Sequence, residues 1–266
     1  SAYTSTPLFY VICILFIIGA AVKSAQFPFF TWLQDAMEAK LPVSALLHSA
    51  TMVVAGAYLL IRLLPFFTLA PNLLNIIITL GLLTALICSI LASIETHPKK
   101  VLAYSTSANL GLIFLAIGLL DIKVALIFLI AHAFIKSALF LLLDDIDYYV
   151  NYITFLIGGL SLSGLIFSGL IAKELLYSTA SNNIIISTIY CITAFFTAFY
   201  IIRIALVLIK DKKLINKVDF KKFIPIGLLF ILNITFYFFI RNKIEYKIAE
   251  PFYCAIFGWG FAYILY

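Results

Sequence analysis

Apolar runs of roughly twenty residues, separated by short polar or proline-bearing breaks, recur along most of this chain. A run of that length crosses the hydrocarbon core of a bilayer as an α-helix. The pattern predicts about nine helices, at 8–28, 43–66, 73–94, 98–119, 122–142, 153–178, 184–209, 223–240 and, shorter, 251–266. No stretch shows the period-two alternation that a membrane β-barrel needs. The expected fold class is therefore all-α, a polytopic transmembrane helical bundle. Pro42, Pro65, Pro71 and Pro98 punctuate the pattern, as do the acidic turn Asp144–Asp145–Ile146–Asp147 and the basic stretch from Lys210 to Lys222.

Composition strengthens the membrane reading. Hydrophobic residues make up 64% of the 266 and charged residues only 11%, less than half of the roughly 25% found in soluble domains. The abundant Phe and Tyr, with Ile, are read as AT-rich coding and not as a binding surface. Cys13, Cys88, Cys191 and Cys254 have no C-x-x-C spacing and fall in expected spans, so neither a disulfide framework nor a metal site is indicated. The first residues run from Pro7 straight into an apolar span without the basic start of a secretion signal, and secretion is not expected.

The formal net charge of +6 lies mostly in short loops, which makes it a topology signal and not a nucleic-acid surface. Lys40, the pair Lys99–Lys100 and the lysines between Lys210 and Lys222 fall on one side of the bundle. Arg62, Lys123, Arg241, Lys243 and Lys247 fall on the other. The bias puts the first side in the cytoplasm or organelle matrix.

Three lysines break the apolar rule. Lys23, Lys136 and Lys173 lie in stretches otherwise apolar enough to span, where an ammonium group costs about 2.5–3.5 kcal/mol on insertion scales. That cost points to charge movement. His132 lies four residues before Lys136, so the two share a helix face, and imidazole suits proton relay because it titrates near neutrality. Lys173 and Glu174 are adjacent and point about 100° apart. His48 sits with Ser44 and Thr51 on one polar stripe of an apolar helix.

The first span is interrupted at Lys23-Ser24-Ala25-Gln26 and again at Pro28, so the helix is expected to open in mid-membrane. Such openings are tolerated where they are buried in protein or line a wet cavity. Gly158, Gly159, Gly164 and Gly169 allow either a loosened helix or close helix packing. Asp35 and Glu38 are expected as loop caps, and Lys99 and Lys100 as interface anchors. No glycine fingerprint for a dinucleotide, no cysteine set and no paired haem-ligating histidines appear, so no redox, cofactor or metal site is placed in this chain.

The strings KSAQ (23–26), SALLHSATMVVAG (44–56), HPKKVLAYSTSANLGLIFLAIG (97–118), AHAFIKSALFL (131–141) and TAFYIIRI (197–204) closely resemble one family. It comprises the proton-pumping antiporter-like subunits of respiratory complex I, in the branch of NADH dehydrogenase chain 5 and bacterial subunit L. The large subunit of multi-subunit sodium/proton antiporters is its sister. The resemblance weakens beyond about residue 210 and implies broken helices and an antiporter-like inverted repeat. Residues 1–66 would end the first repeat, 73–209 would form the second and 210–266 would be C-terminal helices. The family's first six helices, with the glutamate that partners its first buried lysine, have no counterpart here, which suggests a split-gene product or a fragment.

By the same resemblance, Lys23, Lys136 and Lys173 match the family's path lysines, with His48 between half-channels, His132 as relay and Glu174 as the acid after the last lysine. Phe128 stands where the family often has another histidine, His97 replaces a common acid, and the paired prolines that commonly break the helix before Lys173 are absent. The implied function is proton translocation within an NADH:ubiquinone reductase. NAD, FMN, iron–sulfur clusters and ubiquinone would be held by partner subunits. Other membrane-arm subunits, and a separate chain carrying the missing helices, would be the partners. The mitochondrial inner membrane or a bacterial plasma membrane would be the location. A sodium/proton antiporter subunit and a non-pumping structural subunit are the alternatives.

Overall fold

Proline opens three of the apolar helices, in the first turn, where its missing N–H takes away no intrahelical bond. In chain order the helices are α1 (Pro7–Lys23), α2 (Thr31–Asp35), α3 (Leu41–Ala45), α4 (Val54–Phe67), α5 (Pro71–Ile94), α6 (Pro98–Gly118), α7 (Ile122–Leu142), α8 (Tyr149–Ser163), α9 (Phe167–Ala180), α10 (Ile184–Lys210), α11 (Phe220–Arg241) and α12 (Glu250–Leu265). A 3-10 turn, Ala36–Glu38, follows α2, and a π turn, Leu46–Ala50, follows α3. The computed structural model describes residues 7–143, 149–210, 220–244 and 250–266. The acidic turn at 144–147 and most of the basic stretch after Lys210 lie outside the described residues.

Among the described residues, six stretches are long and apolar enough to cross a membrane: α5, α6, α7, the α8–α9 pair, α10 and α11. Short links join α5 to α6, α6 to α7 and α9 to α10. Asp121 secures one such link by accepting a hydrogen bond from Val124 N at 3.1 Å, an N-cap for α7.

Helix α6 forms the centre, with 94% of its spanning window buried, whereas only 17% of α11 is buried and its face is left for lipid or another chain. The most extensive contact is α5 against α6. Gly81 and Gly111 make it possible: a Cβ on Gly81 would stand 2.5 Å from Gly111 O, and one on Gly111 2.6 Å from Gly81 O. Backbones approach this closely in membranes only at small residues.

Three expected spans are cut differently. Helix α1 stops at Lys23 and not at residue 28, because the chain turns through Ala25 at φ 49°, a left-handed conformation unfavourable to any residue with a Cβ. The expected helix 43–66 is divided into α3, the π turn and α4. Its stripe of Ser44, His48 and Thr51 does not persist: Ser44 is buried and Thr51 is exposed, since the π turn changes the pitch between them. The expected helix 153–178 is two helices with a break at residues 164–166, where Gly164 has φ 85° and Phe167 φ 52°. Gly164 thus supplies the break that the absent prolines do not.

Backbone groups freed at the breaks find partners. Ser24 Oγ donates to Val53 O at 2.6 Å, and Thr84 Oγ1 accepts from Phe27 N at 2.9 Å. Leu165 N reaches Leu160 O at 3.0 Å. Internal satisfaction of this kind is what a hydrocarbon surrounding requires of irregular backbone.

Candidate functional site: a buried lysine–histidine–lysine line

Lys136 reaches the core from α7 with 0% exposure, and its Nζ donates to Leu102 O on α6 at 3.0 Å. Leu102 lies one turn from the start of α6, so the amine sits near one end of the bundle and not at its middle. Beside it, Ser137 Oγ meets Ser49 Oγ at 2.8 Å, tying the π turn to α7. His48 belongs to that turn, so the structure brings its backbone to the helix of Lys136; its side chain lies outside the described residues.

Lys173 projects from α9 with 2% exposure, and its Nζ donates to Ser163 O at 3.3 Å. That carbonyl ends α8, so the break presents the negative end of a helix dipole to the amine. Tyr190 OH on α10 donates to Lys173 O at 2.9 Å and fixes the backbone from the other side. Lys136 and Lys173 are close enough for their charges to interact.

His132, one turn before Lys136 on α7, is buried with neither ring nitrogen hydrogen-bonded. A small cavity lined by Asn109, His132, Ser161 and Lys173, with Phe128 and Gly169 among its apolar walls, offers about 10 Å³ to a water's centre, roughly what one water needs. Ser161 Oγ is likewise buried without a partner. A buried polar atom left unpaired costs about 1–3 kcal/mol. The chamber is thus narrow and mostly apolar, with four polar side chains on its wall, of which His132 and Ser161 are unpaired.

Lys173 and Glu174 divide as their spacing requires. Lys173 lines the chamber; Glu174, equally buried, is not among its lining residues and lies within electrostatic reach of Tyr190.

Lys23 departs from the expectation. It is exposed on the surface of this chain, at the C-terminal turn of α1. Only Cys13, Ile17, Ala20 and Ala21 of α1 are buried, so α4 covers one face of the helix and, among the described residues, its final amine is left open. Burial was inferred from an apolar run, and an apolar run cannot tell a protein neighbour from lipid.

Asp35, expected as a cap together with Glu38, makes no side-chain cap to the turn it precedes. They line an open cavity of about 520 Å³ with Gln34, His97, Lys99 and Lys100. Lys99 Nζ donates to Ala39 O at 3.3 Å, joining the two loops that form it. Lys99 stands three residues before Leu102, about 4.5 Å along the helix. The charged cavity therefore opens close to the carbonyl that holds Lys136.

Sequence reasoning passed over Arg203, which is 6% exposed and donates to Ala92 O at 3.4 Å and to Glu95 O. A lone arginine in an apolar run was the available signal. Among the described residues no group of His, Cys, Asp and Glu is arranged to hold a metal.

Residues 2–197 match the family model described as NADH:quinone oxidoreductase/Mrp antiporter, TM. The chain is 38% identical over 230 residues to NAD(P)H-quinone oxidoreductase subunit 5, chloroplastic, of Ranunculus macranthus, covering 76% of this chain and 31% of that protein. It is 38% identical over 226 residues to NADH-ubiquinone oxidoreductase chain 5 of Cryptococcus neoformans var. grubii, covering 76% and 34%. A solved Mrp complex from Dietzia sp. contains a chain that superposes with a TM-score of 0.84 at 25% identity, over 99% of this chain and 34% of that one. This chain spans about a third of the length of these relatives.

Proposed function

The chain belongs to the NADH:quinone oxidoreductase/Mrp antiporter transmembrane family, and from that premise we propose that it is a proton-translocating part of the membrane arm of an NADH:quinone oxidoreductase. The observation that carries the reading is a pair of buried lysines with a buried, unpartnered histidine one turn from the first and lining a cavity with the second. Ionisable groups at such depth are expensive and mark ion pathways.

Protons enter from the charged cavity of Asp35, Glu38 and His97, pass to Lys136, cross to Lys173 through His132 and water in the chamber, and leave at the opposite end. Removing hydration narrows the energy gap between the charged and neutral forms of an amine, so neighbouring charges can drive its proton on or off. The side bearing Lys99 and Lys100 is the cytoplasmic or matrix side. His48 joins the lysines from the π turn. Lys23 pairs with a carboxylate supplied by the remaining first-repeat helices, which accounts for its exposure here. Residues 1–66 then close the first repeat, 73–209 form the second and 210–266 dock against it. NAD, FMN, iron–sulfur clusters and ubiquinone belong to partner subunits, in a mitochondrial, plastid or bacterial energy-coupling membrane.

Structural likeness to a chain of an Mrp complex favours a second reading, a subunit of a multi-subunit sodium/proton antiporter. The test is ion flux in proteoliposomes of the assembled complex, with and without NADH and quinone, for the native chain and Lys136→Met. Proton flux that requires NADH and quinone and is lost in Lys136→Met supports the first reading. Sodium-dependent flux without them supports the second. Full flux in Lys136→Met at full assembly reduces the chain to a scaffold.

A further inference from the structure

We propose that Glu250 is the group through which protons leave, accepting them from the Lys173–Glu174 pair by way of Tyr177 and releasing them to water at the end opposite the charged cavity. The inference rests on the translocation reading above and adds a discharge group from α12, outside the residues that match the family model.

Tyr177 follows Lys173 by four residues and Glu174 by three, so it lies one turn further toward that end on the same side of α9. Its hydroxyl donates to Glu250 Oε2 at 2.6 Å, a short bond to a carboxylate. Tyr190 buttresses the line: its hydroxyl holds Lys173 O at 2.9 Å, its ring lies 6.1 Å from that of Tyr177, and Glu174 is within electrostatic reach. Glu250 itself is exposed as the first residue of α12. One phenol thus holds the exposed carboxylate, and the second packs against it while bonded to the backbone of Lys173. One helical turn, about 5.4 Å, separates Lys173 from Tyr177.

In the step, an N–H bond of the Lys173 ammonium breaks, its proton passes through Glu174 and the phenol to a Glu250 oxygen, and Lys173 is left neutral. Loss of the proton from Glu250 to water restores the carboxylate, and no charge is created or destroyed.

The test uses oriented proteoliposomes of the assembled complex with a pH-sensitive dye. Glu250→Gln and Tyr177→Phe are expected to slow flux by at least about tenfold, with Glu250→Asp recovering part of it. A concentrated membrane-impermeant buffer on the Glu250 side is expected to restore flux in Glu250→Gln, because buffer replaces the missing acceptor; a packing role would not respond to buffer. Native flux in both Glu250→Gln and Tyr177→Phe, with Lys136→Met inactive, overturns this inference and leaves translocation standing. Full flux in Lys136→Met overturns both. If Glu250→Gln fails to assemble, Tyr177→Phe, which removes one oxygen, decides by the same two results.

Discussion

Gly164→Ala perturbs the break that presents Ser163 O to Lys173 without replacing any ionisable group. Gly164 holds φ at 85°, where an L-residue is strained, and a Cβ there would lie 2.6 Å from Lys173 Cδ. The backbone cost is about 1–2 kcal/mol. Ordinary contact begins near 3.4 Å, so the lysine stem must move by about 0.8 Å, and a displacement near 1 Å in a positioned group can cost on the order of 10²-fold in rate. Stability should therefore fall modestly while flux falls by between about tenfold and a hundredfold. Thermal unfolding of the purified complex and proton flux in liposomes are measured together. Gly19→Ala is the control, since a Cβ there meets nothing within 4 Å. A Gly164→Ala complex with native stability and native flux would refute the reasoning, because neither the backbone conformation nor the lysine position would then matter.

Other outcomes follow from particular contacts. His132→Gln keeps polarity but removes the titrating ring, and flux should drop by about 10²-fold at unchanged assembly, as judged by native gels and dye flux. Gly111→Val drives a side chain into Gly81 O, a backbone atom that cannot step aside; the cost should exceed about 3 kcal/mol and appear as loss of the assembled complex. Ser49→Ala deletes the bond to Ser137 and should lower the unfolding free energy in detergent by about 1 kcal/mol with little loss of subunit yield.

What the sequence disclosed depended on the range of the signal. Spans such as 73–94 and 98–119 were legible to within a residue or two because an apolar run against lipid is a local property. That His132 and Lys136 are both buried on α7 follows the shared face that a spacing of four fixes. The π turn at Leu46–Ala50 was not: its residues are ordinary helix formers, and its geometry is held by contacts such as Ser49 with Ser137, 88 positions away. Lys23 was misplaced because hydrophobicity does not say which helix, if any, covers a residue. Asp35, Glu38 and His97 read as loop residues until two separate loops were brought to one cavity. Tyr177 and Glu250 lie 73 positions apart, and only the docking of α12 beside α9 joins them.

The central claim is that a single line of protons runs through both buried amines. Proton flux per turnover in assembled complexes carrying Lys136→Met, Lys173→Met and both substitutions tests it most directly. The account predicts that each single change abolishes flux through this chain and that the double change is no worse than either, as for residues acting in one unit. Full flux in either single variant, or losses that multiply in the double, would contradict it.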